Sequence, residues 1–424
     1  MAIVVDRPTL PKEGVHSKFA HSFYYLLNPR DRVYNERFLR LLAMAKVRWN
    51  IGSAHKWWIT TDPRKWVALP AEKRTWPRAP LVESVKRARE LGIETVGQLG
   101  GFHKVGGFHA GQLNSFASRP ELKDHLIISD FHACGPIDGP EAEKTIDTYV
   151  HETVKKVKDS FRYWRLDNEM NVRRFTPAEL VRLHEIVYKA MKRADPRAKL
   201  WSGSLSTFAI PYTDEMLRLG YDRWVDVHDY HYYIWPQADP TYRNMGGLPL
   251  LLKVFDKYGV SVPTANGEFG CYRSIHNDGA RVQAAMYARG LVVAHTYEQL
   301  QWIAPHFPTH MEYCAVSADG IFPCYLAYRT TADILEGAKP NGTLDLGDGI
   351  AAYLFKRASG NKAIVLWDPK GREASVPGVD KAWTAYDVLG RKIDTGPPNK
   401  LKLGIFPVYL TNGALEEGTK LSPL

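Results

Sequence analysis

The sequence predicts an α/β protein: a (β/α)8 barrel followed by a small antiparallel β-sandwich. Between about residues 15 and 334, short β-like runs alternate with amphipathic helical stretches, the pattern of a parallel sheet wrapped by helices. The β-like runs reach eight without an internal repeat, which favours a closed barrel over an open sheet. From about residue 335 the helical period stops and strands punctuated by Gly and Pro take over. A chain of 424 residues exceeds the roughly 250 of a bare barrel. A barrel over 15–334 and a sandwich over 335–424 account for the length, and the apolar IVV run in segment 1–14 is a candidate to add a strand to the sandwich.

The first strand is placed near VHSKFAHSF and the second at RWNI. In PLVESVKRARELG, Leu81, Val85 and Ala88 fall on one helical face and Gly92 supplies the stop. ETVGQLGG follows as the third strand. In EAEKTIDTYVHETVKKVKD, Ile146, Val150, Val154 and Val157 recur at helical spacing and lead into the fourth strand, YWRLDN. The helix in TPAELVRLHEIVYKAMKRADP opens with a capping box, Thr176 to Glu179, with Pro177 at its first position, and closes before Pro196. KLWSGS, WVDVHDYHYY, VPTANGEFG and EQLQWIAP supply strands five to eight. In the tail, IAAYLFKRASGNKAIVLWDPKG reads as two strands around a Ser-Gly-Asn turn, and WTAYDVLGRKI and KLKLGIFPVYLTNG continue the pattern.

Bulk properties exclude several classes. No run of 18 apolar residues exists, so no membrane insertion is expected. The opening MAIVVDRPTLPKEG lacks the basic and apolar regions of a secretion signal. That fits a cytoplasmic protein or a secreted one whose signal has been removed. The formal charge is +10 and the pI about 9.2. Solvated helix faces rich in Lys and Arg account for it; attraction to an acidic glycan is the sharper alternative. Nucleic acid is not expected, because the basic residues are spread along helices such as SVKRARELG rather than clustered. Cys134, Cys271, Cys314 and Cys324 form no CxxC pair, which argues against structural zinc; Cys314 and Cys324 are close enough in sequence for a local disulfide, with buried free thiols at least as good a reading.

Catalytic groups of such a barrel sit where strands end and the following loops begin. Two carboxylates stand at such points: Glu169, after the fourth strand in YWRLDNEMN, and Glu268, ending the seventh in VPTANGEFG. Cleaving a glycosidic bond through an oxocarbenium-like transition state requires one acid to protonate the leaving oxygen and a second carboxylate to attack or stabilise the anomeric carbon. A single such Glu more often caps a strand or pairs with an Arg; two in these contexts outweigh that reading.

Trp-x-x-x-Asn-Glu followed about 100 residues later by Gly-Glu-Phe-Gly resembles glycoside hydrolase clan A, barrel enzymes with catalytic glutamates after strands four and seven. The segment from PIDGPEAEK to DNEMN, the Asp…His-x-Tyr of VDVHDYHYY, and SADGIFPCYLAY resemble family 39, the β-xylosidase and α-iduronidase family. DNEMN departs from the usual WNEPN and echoes other families of the clan. The resemblance implies that Glu169 is the acid/base and Glu268 the nucleophile of a retaining mechanism without cofactor or metal. It also implies that Asn168 bonds the sugar 2-hydroxyl, that Tyr233 donates its hydroxyl to Glu268, and that His231 lines the sugar site. Arg48, after strand two, is expected to orient the nucleophile unless it serves a structural ion pair. Trp302, where the clan commonly has a Trp, is the expected stacking platform, with Trp58 a further candidate. His55 and His103, with Lys56 and Lys104, are the strand-end cations that would face an acidic sugar.

A metal-dependent barrel hydrolase is the first rival. It would require His-x-His on the first strand, whereas His16 and His21 are five apart. A non-catalytic carbohydrate-binding barrel would tolerate loss of either glutamate. The partner expected is a carbohydrate substrate; sugar identity, exo or endo action and oligomeric state stay open.

Overall fold

The computed structural model describes residues 16–22, 32–51, 68–73, 79–99, 139–172, 175–233, 245–271, 279–306, 315–317, 320–347, 349–394 and 400–413. Segment 1–14, His55, Trp58, His103, Cys134 and Cys314 lie outside the described residues. No helix among the described residues is long and apolar enough to cross a membrane.

Parallel strands run β1 (Ala20–His21), β2 (Trp49–Ile51), β3 (Glu94–Leu99), β4 (Tyr163–Leu166) and β5 (Lys199–Trp201) in one sheet. A second sheet holds β6 (Leu205–Ser206), β7 (His228–Tyr233), β8 (Thr264–Gly270) and β9 (Leu300–Pro305). Parallel bridges join the sheets at both seams: Phe19 with Ile303 and Ser22 with His306 on one side, Trp201 with Val227 on the other. β5 and β6 are therefore two pieces of one barrel strand, interrupted at Ser202–Ser204, and the cylinder closes with eight strands. Each is followed by a helix among the described residues: α1 (Arg32–Met44), α2 (Ala79–Glu90), α3 (Pro140–Val157), α4 (Pro177–Ala194), α5 (Ile210–Arg218), α6 (Leu248–Tyr258), α7 (Gly279–His295) and α8 (Pro323–Leu335). The chain is a (β/α)8 barrel.

The local signals act as the residues dictate. At α4 the Thr176 hydroxyl accepts from the Glu179 amide at 3.3 Å, and the Glu179 carboxylate accepts from the Thr176 amide at 2.8 Å. Two otherwise orphaned donors are satisfied at once. Val85 and Ala88 of α2, and Ile146, Val150, Val154 and Val157 of α3, are buried against the barrel. Gly92, at φ +78°, turns the chain into β3.

A short antiparallel pair, β10 (Val316–Ser317) and β11 (Gly320–Ile321), precedes α8. Beyond α8, strands β12 (Lys339–Thr343), β13 (Ala351–Lys356), β14 (Lys362–Trp367), β18 (Val408–Thr411) and β16 (Thr384–Tyr386) form an antiparallel sheet in that order. A ribbon of β15 (Glu373–Ser375) and β17 (Lys400–Lys402) makes the second layer. Tyr353, Phe355, Val365, Trp367 and Tyr409 join the core shared with the barrel helices, while Ala352, Ile364, Leu366, Val408 and Leu410 pack in the sandwich's own core. That period-2 division explains why AAYLFK and KAIVLW read as unbroken apolar runs: both faces are covered. The Arg289 guanidinium donates to the Ile405 carbonyl, and Thr331 and Tyr409 hydroxyls meet at 2.6 Å, locking the sandwich to α7 and α8.

Candidate active site

The site is collected by β7, on which Asp229, His231 and Tyr233 alternate and so share one face of the strand. The Tyr233 hydroxyl donates to Glu268 Oε2 at 2.8 Å. His231 Nδ1 lies 3.1 Å from Glu169 Oε1 and 3.4 Å from Glu268 Oε2, bridging the two carboxylates. Burial, the largest single influence, opposes charge on this imidazole. The facing carboxylates of Glu268 and Glu169, with Asp229 behind, more than offset it, so its pKa is raised. The glutamate side chains differ in access: Glu169 is 29% exposed and Glu268 is 7% exposed. An open carboxyl suits proton exchange with a leaving group or water; a sheltered one, held by a phenol, suits attack on carbon.

Two local distortions present the carboxylates. Asp167 and Glu169 take left-handed φ values of +40° and +50°, a conformation costing non-glycine residues roughly 1–2 kcal/mol each. The loop is pinned against the fifth barrel strand: the Met170 amide donates to Ser204 O at 3.0 Å, Asn171 Nδ2 to Ser206 O at 3.1 Å, and the Ser206 amide to Asn171 Oδ1 at 2.8 Å. On β8 the register with β7 shifts between Tyr230/Asn266 and His231/Glu268. This bulge turns the consecutive residues Gly267 and Glu268 both toward the barrel interior. Position 267 must be glycine, since a Cβ there would stand 2.4 Å from Asp229 Oδ1.

Beneath the glutamates lies a buried polar layer that the motifs did not disclose. Asp229 accepts from the Gly267 amide and from Ser204 Oγ, both at 2.9 Å, and Arg165 Nη1 stands 3.4 Å from its Oδ2. Arg165 Nη2 reaches Gln98 Oε1 at 3.4 Å and Asn168 Oδ1 at 3.3 Å. Arg165 and Asp229 are both fully buried. Burial pushes the Asp229 carboxyl up, against the pull of Arg165, His231 and Ser204. The alternation of Asp229, His231 and Tyr233 along VDVHDYHYY was the available signal for Asp229. For Arg165, a charged residue inside the apolar run YWRL was the corresponding sign.

Two expectations are corrected. Arg48 does not reach Glu268: it precedes the first residue of β2, at the opposite end of the barrel, where its Nε donates to Glu336 Oε1 at 2.7 Å. Lys46 adds contacts to Asp333 and Glu336, so the cluster ties the start of β2 to the end of α8. Trp302 is not a platform facing the site. It pairs in register with Ala265, three residues before Glu268, which places it roughly 10 Å further down the strand. It is 7% exposed and packs with Ala20, Ile51, Val96, Trp201, Val227 and Ala265, joined by Trp49 and Tyr163. These residues come from all eight barrel strands, so Trp302 fills the barrel interior. Asn168 lies beside Glu169, half-buried, held by Arg165. Cys324 is buried in α8; the suggested pairing with Cys314 falls outside the described residues.

No family model matches the sequence, and no curated protein matches it. Solved structures do. A family 39 glycoside hydrolase from the gut symbiont Bacteroides cellulosilyticus superposes with a TM-score of 0.72 at 18% identity, covering 95% of this chain and 82% of that one. A GH39 β-xylosidase from Caulobacter crescentus gives 0.61 at 13% identity, covering 96% and 98%. The catalytic domain of GH30 xylanase C from Talaromyces cellulolyticus gives 0.63 at 12%, covering 96% and 98%. The chain shares their fold. The likeness extends through the sandwich as well as the barrel, because nearly the whole of this chain is covered in each case.

Proposed function

We propose that this protein is a retaining glycoside hydrolase acting on β-linked sugars, with Glu169 as acid/base and Glu268 as nucleophile. The observation that carries the reading is the meeting of the two strand-end glutamates at one nitrogen, His231 Nδ1. Oxygens 3.1 and 3.4 Å from a shared atom stand no more than about 6.5 Å apart; inverting enzymes space their carboxyl groups by roughly 6.5–9.5 Å and retaining ones by roughly 5–5.5 Å. In the first step Glu268 attacks the anomeric carbon as Glu169 gives its proton to the departing oxygen, leaving a glycosyl-enzyme ester. In the second, Glu169 takes a proton from water, which displaces Glu268 and keeps the original configuration. The Tyr233 hydroxyl orients Glu268, and Asn168 is placed to meet the 2-hydroxyl.

Structural neighbours named as β-xylosidase and xylanase make β-linked pentose glycans the first substrates to try. An acidic polysaccharide is the second class, favoured by the net charge of +10. It would draw on His55, Lys56, His103 and Lys104, with activity falling as salt rises. The test is a product-resolved screen on nitrophenyl glycosides and a polysaccharide panel. Proton NMR of the first-formed product should show the original anomeric configuration; inversion overturns the retaining assignment. Glu169→Ala should keep the first step on activated leaving groups, and azide should restore turnover. Tyr233→Phe should lower kcat on the order of 10²-fold with little change in KM.

A further inference from the structure

We propose that the buried Arg165–Asp229 pair is a positioning device that ties the two glutamate-bearing loops to each other, Arg165 holding Asn168 beside Glu169 and Asp229 holding the Gly267 amide beside Glu268. The inference rests on the glycosidase reading for its catalytic consequence, although the brace itself is a matter of geometry.

The two loops belong to β4 and β8, which are not neighbours in the barrel; the fifth strand and β7 lie between them. Each loop is distorted, one by left-handed backbone at Asp167 and Glu169, the other by the bulge at Gly267. Such distortions persist only where the surroundings over-determine them. The Arg165 fork spans the gap, with Nη2 toward Gln98 and Asn168 and Nη1 toward Asp229. Asp229 then uses Oδ1 for the bulge amide and Oδ2 for Ser204 as well as Arg165. Ser204 in turn receives the Met170 amide through its carbonyl, so the network returns to the Glu169 loop from the other side. Two of the three groups bonded to Asp229, a backbone amide and a guanidinium, can only donate, which calls for a carboxylate there. Removing one member of a fully buried ion pair leaves the other uncompensated.

The charged groups around the pair are His231 on β7 and Glu268 on β8, with Glu169 beyond His231. The pair's members therefore act on the site's proton equilibria in opposite senses. Loss of the Arg165 cation should raise the pKa values of His231 and of the glutamates; loss of the Asp229 anion should lower them. A side chain that merely fills space would not produce opposed shifts.

The experiment compares Arg165→Gln and Asp229→Asn with wild type in the full-length protein. On a nitrophenyl glycoside that wild type cleaves, each should lower kcat by about 10- to 100-fold with KM within a few-fold, as expected when reacting groups lose alignment. The acid limb of the kcat/KM profile should move up in Arg165→Gln and down in Asp229→Asn. Arg165→Lys should leave the limb in place while kcat stays reduced, because it restores the charge without the fork. Ser204→Ala, which removes one donor, serves if the charge variants fail to fold and should give a smaller loss in the same direction. Wild-type kcat in both charge variants, or limbs moving the same way, overturns the proposal. If wild type cleaves no glycoside, the functional reading fails separately. The brace is then decided by the His231 titration in 13C-histidine NMR, assigned with His231→Asn: opposed shifts sustain it and unmoved titrations refute it.

Discussion

At the level of Ala265, the barrel interior holds Trp49, Trp201 and Trp302 packed against small residues such as Ala20 and Ala304. Three positions further along the same strand, around Glu268, it holds three carboxylates, an imidazole, a guanidinium and a phenol: Glu169, His231, Glu268 and Tyr233 form one chain of contacts, and the Arg165–Asp229 pair lies directly beneath. Both layers are built from inward-facing residues of the same strands. The lower one contributes apolar burial and ring packing: Trp302 meets Trp201 at 4.7 Å between centroids and Trp49 edge-on at 5.5 Å. The upper one gathers like charges, left-handed backbone and a bulge, all costly on their own, and is held by hydrogen bonds to the strands around it. Stability and chemistry are thus separated along the barrel axis, a few residues apart in sequence.

That separation can be broken from either end. Glu268→Gln should reduce turnover by the largest factor, to below detection on every substrate, while the melting temperature stays level or rises as a crowded carboxylate loses its charge. A large loss of thermal stability in this variant would mean the two layers are not separable. Trp302→Ala should do the reverse. It should cost about 3–5 kcal/mol of folding stability in denaturant titration, and the protein that remains native should keep kcat within several-fold. A selective collapse of kcat would return Trp302 to the substrate site. Arg48→Met should lower stability by about 1.5–3 kcal/mol, since it removes the charge-assisted bond to Glu336 and leaves that carboxylate only the more distant Lys46, with an unchanged pH profile; a shifted profile would tie Arg48 to Glu268 after all.

The pH dependence of stability sharpens the comparison with a third zone, between strands and helices. Burial pushes His21, His228 and His295 down to about 3, and His184 to about 4. These imidazoles are neutral when folded and take up protons on unfolding below the ordinary value near 6.5. Their contribution is therefore intact above about pH 6.5 and is lost as pH falls toward their folded values, each adding a slope of up to about 1.4 kcal/mol per pH unit. His231 has the opposite sign: its raised pKa stabilises below the unfolded value and fades as pH rises through the folded one. Melting temperatures between pH 7.5 and 4.5 should fall steadily, and His228→Gln should flatten the slope. A curve flat down to pH 4.5 would contradict neutral burial of these side chains.

Most of the barrel was legible because its signals are local. The capping box at Thr176, the stop at Gly92 and the repeat of Ile146, Val150, Val154 and Val157 each state what the backbone does within a turn or two. Glu169 and Glu268 were legible as strand-end carboxylates. KLWSGS read as a single strand, yet its ladder breaks at Ser202–Ser204, where Ser202 Oγ instead receives the Asp229 amide at 2.7 Å. β12 went unseen because Lys339–Thr343 contains Pro and Gly and pairs only along one edge, with a register shift between Pro340 and Thr343.

The sequence by itself determined the order of strands and helices, the change of architecture near residue 335 and the two glutamates at strand ends, since each depends on periodicity or on residues adjacent in the chain. Tertiary structure decided the depth of Trp302, the partner of Arg48, the meeting of both glutamates at His231 and the brace between Arg165 and Asp229. Those depend on how far along the barrel axis each strand is shifted against the next and on contacts between residues 37 to 288 positions apart. No local pattern encodes that shift; it is fixed only when the cylinder closes and every inward side chain finds its level.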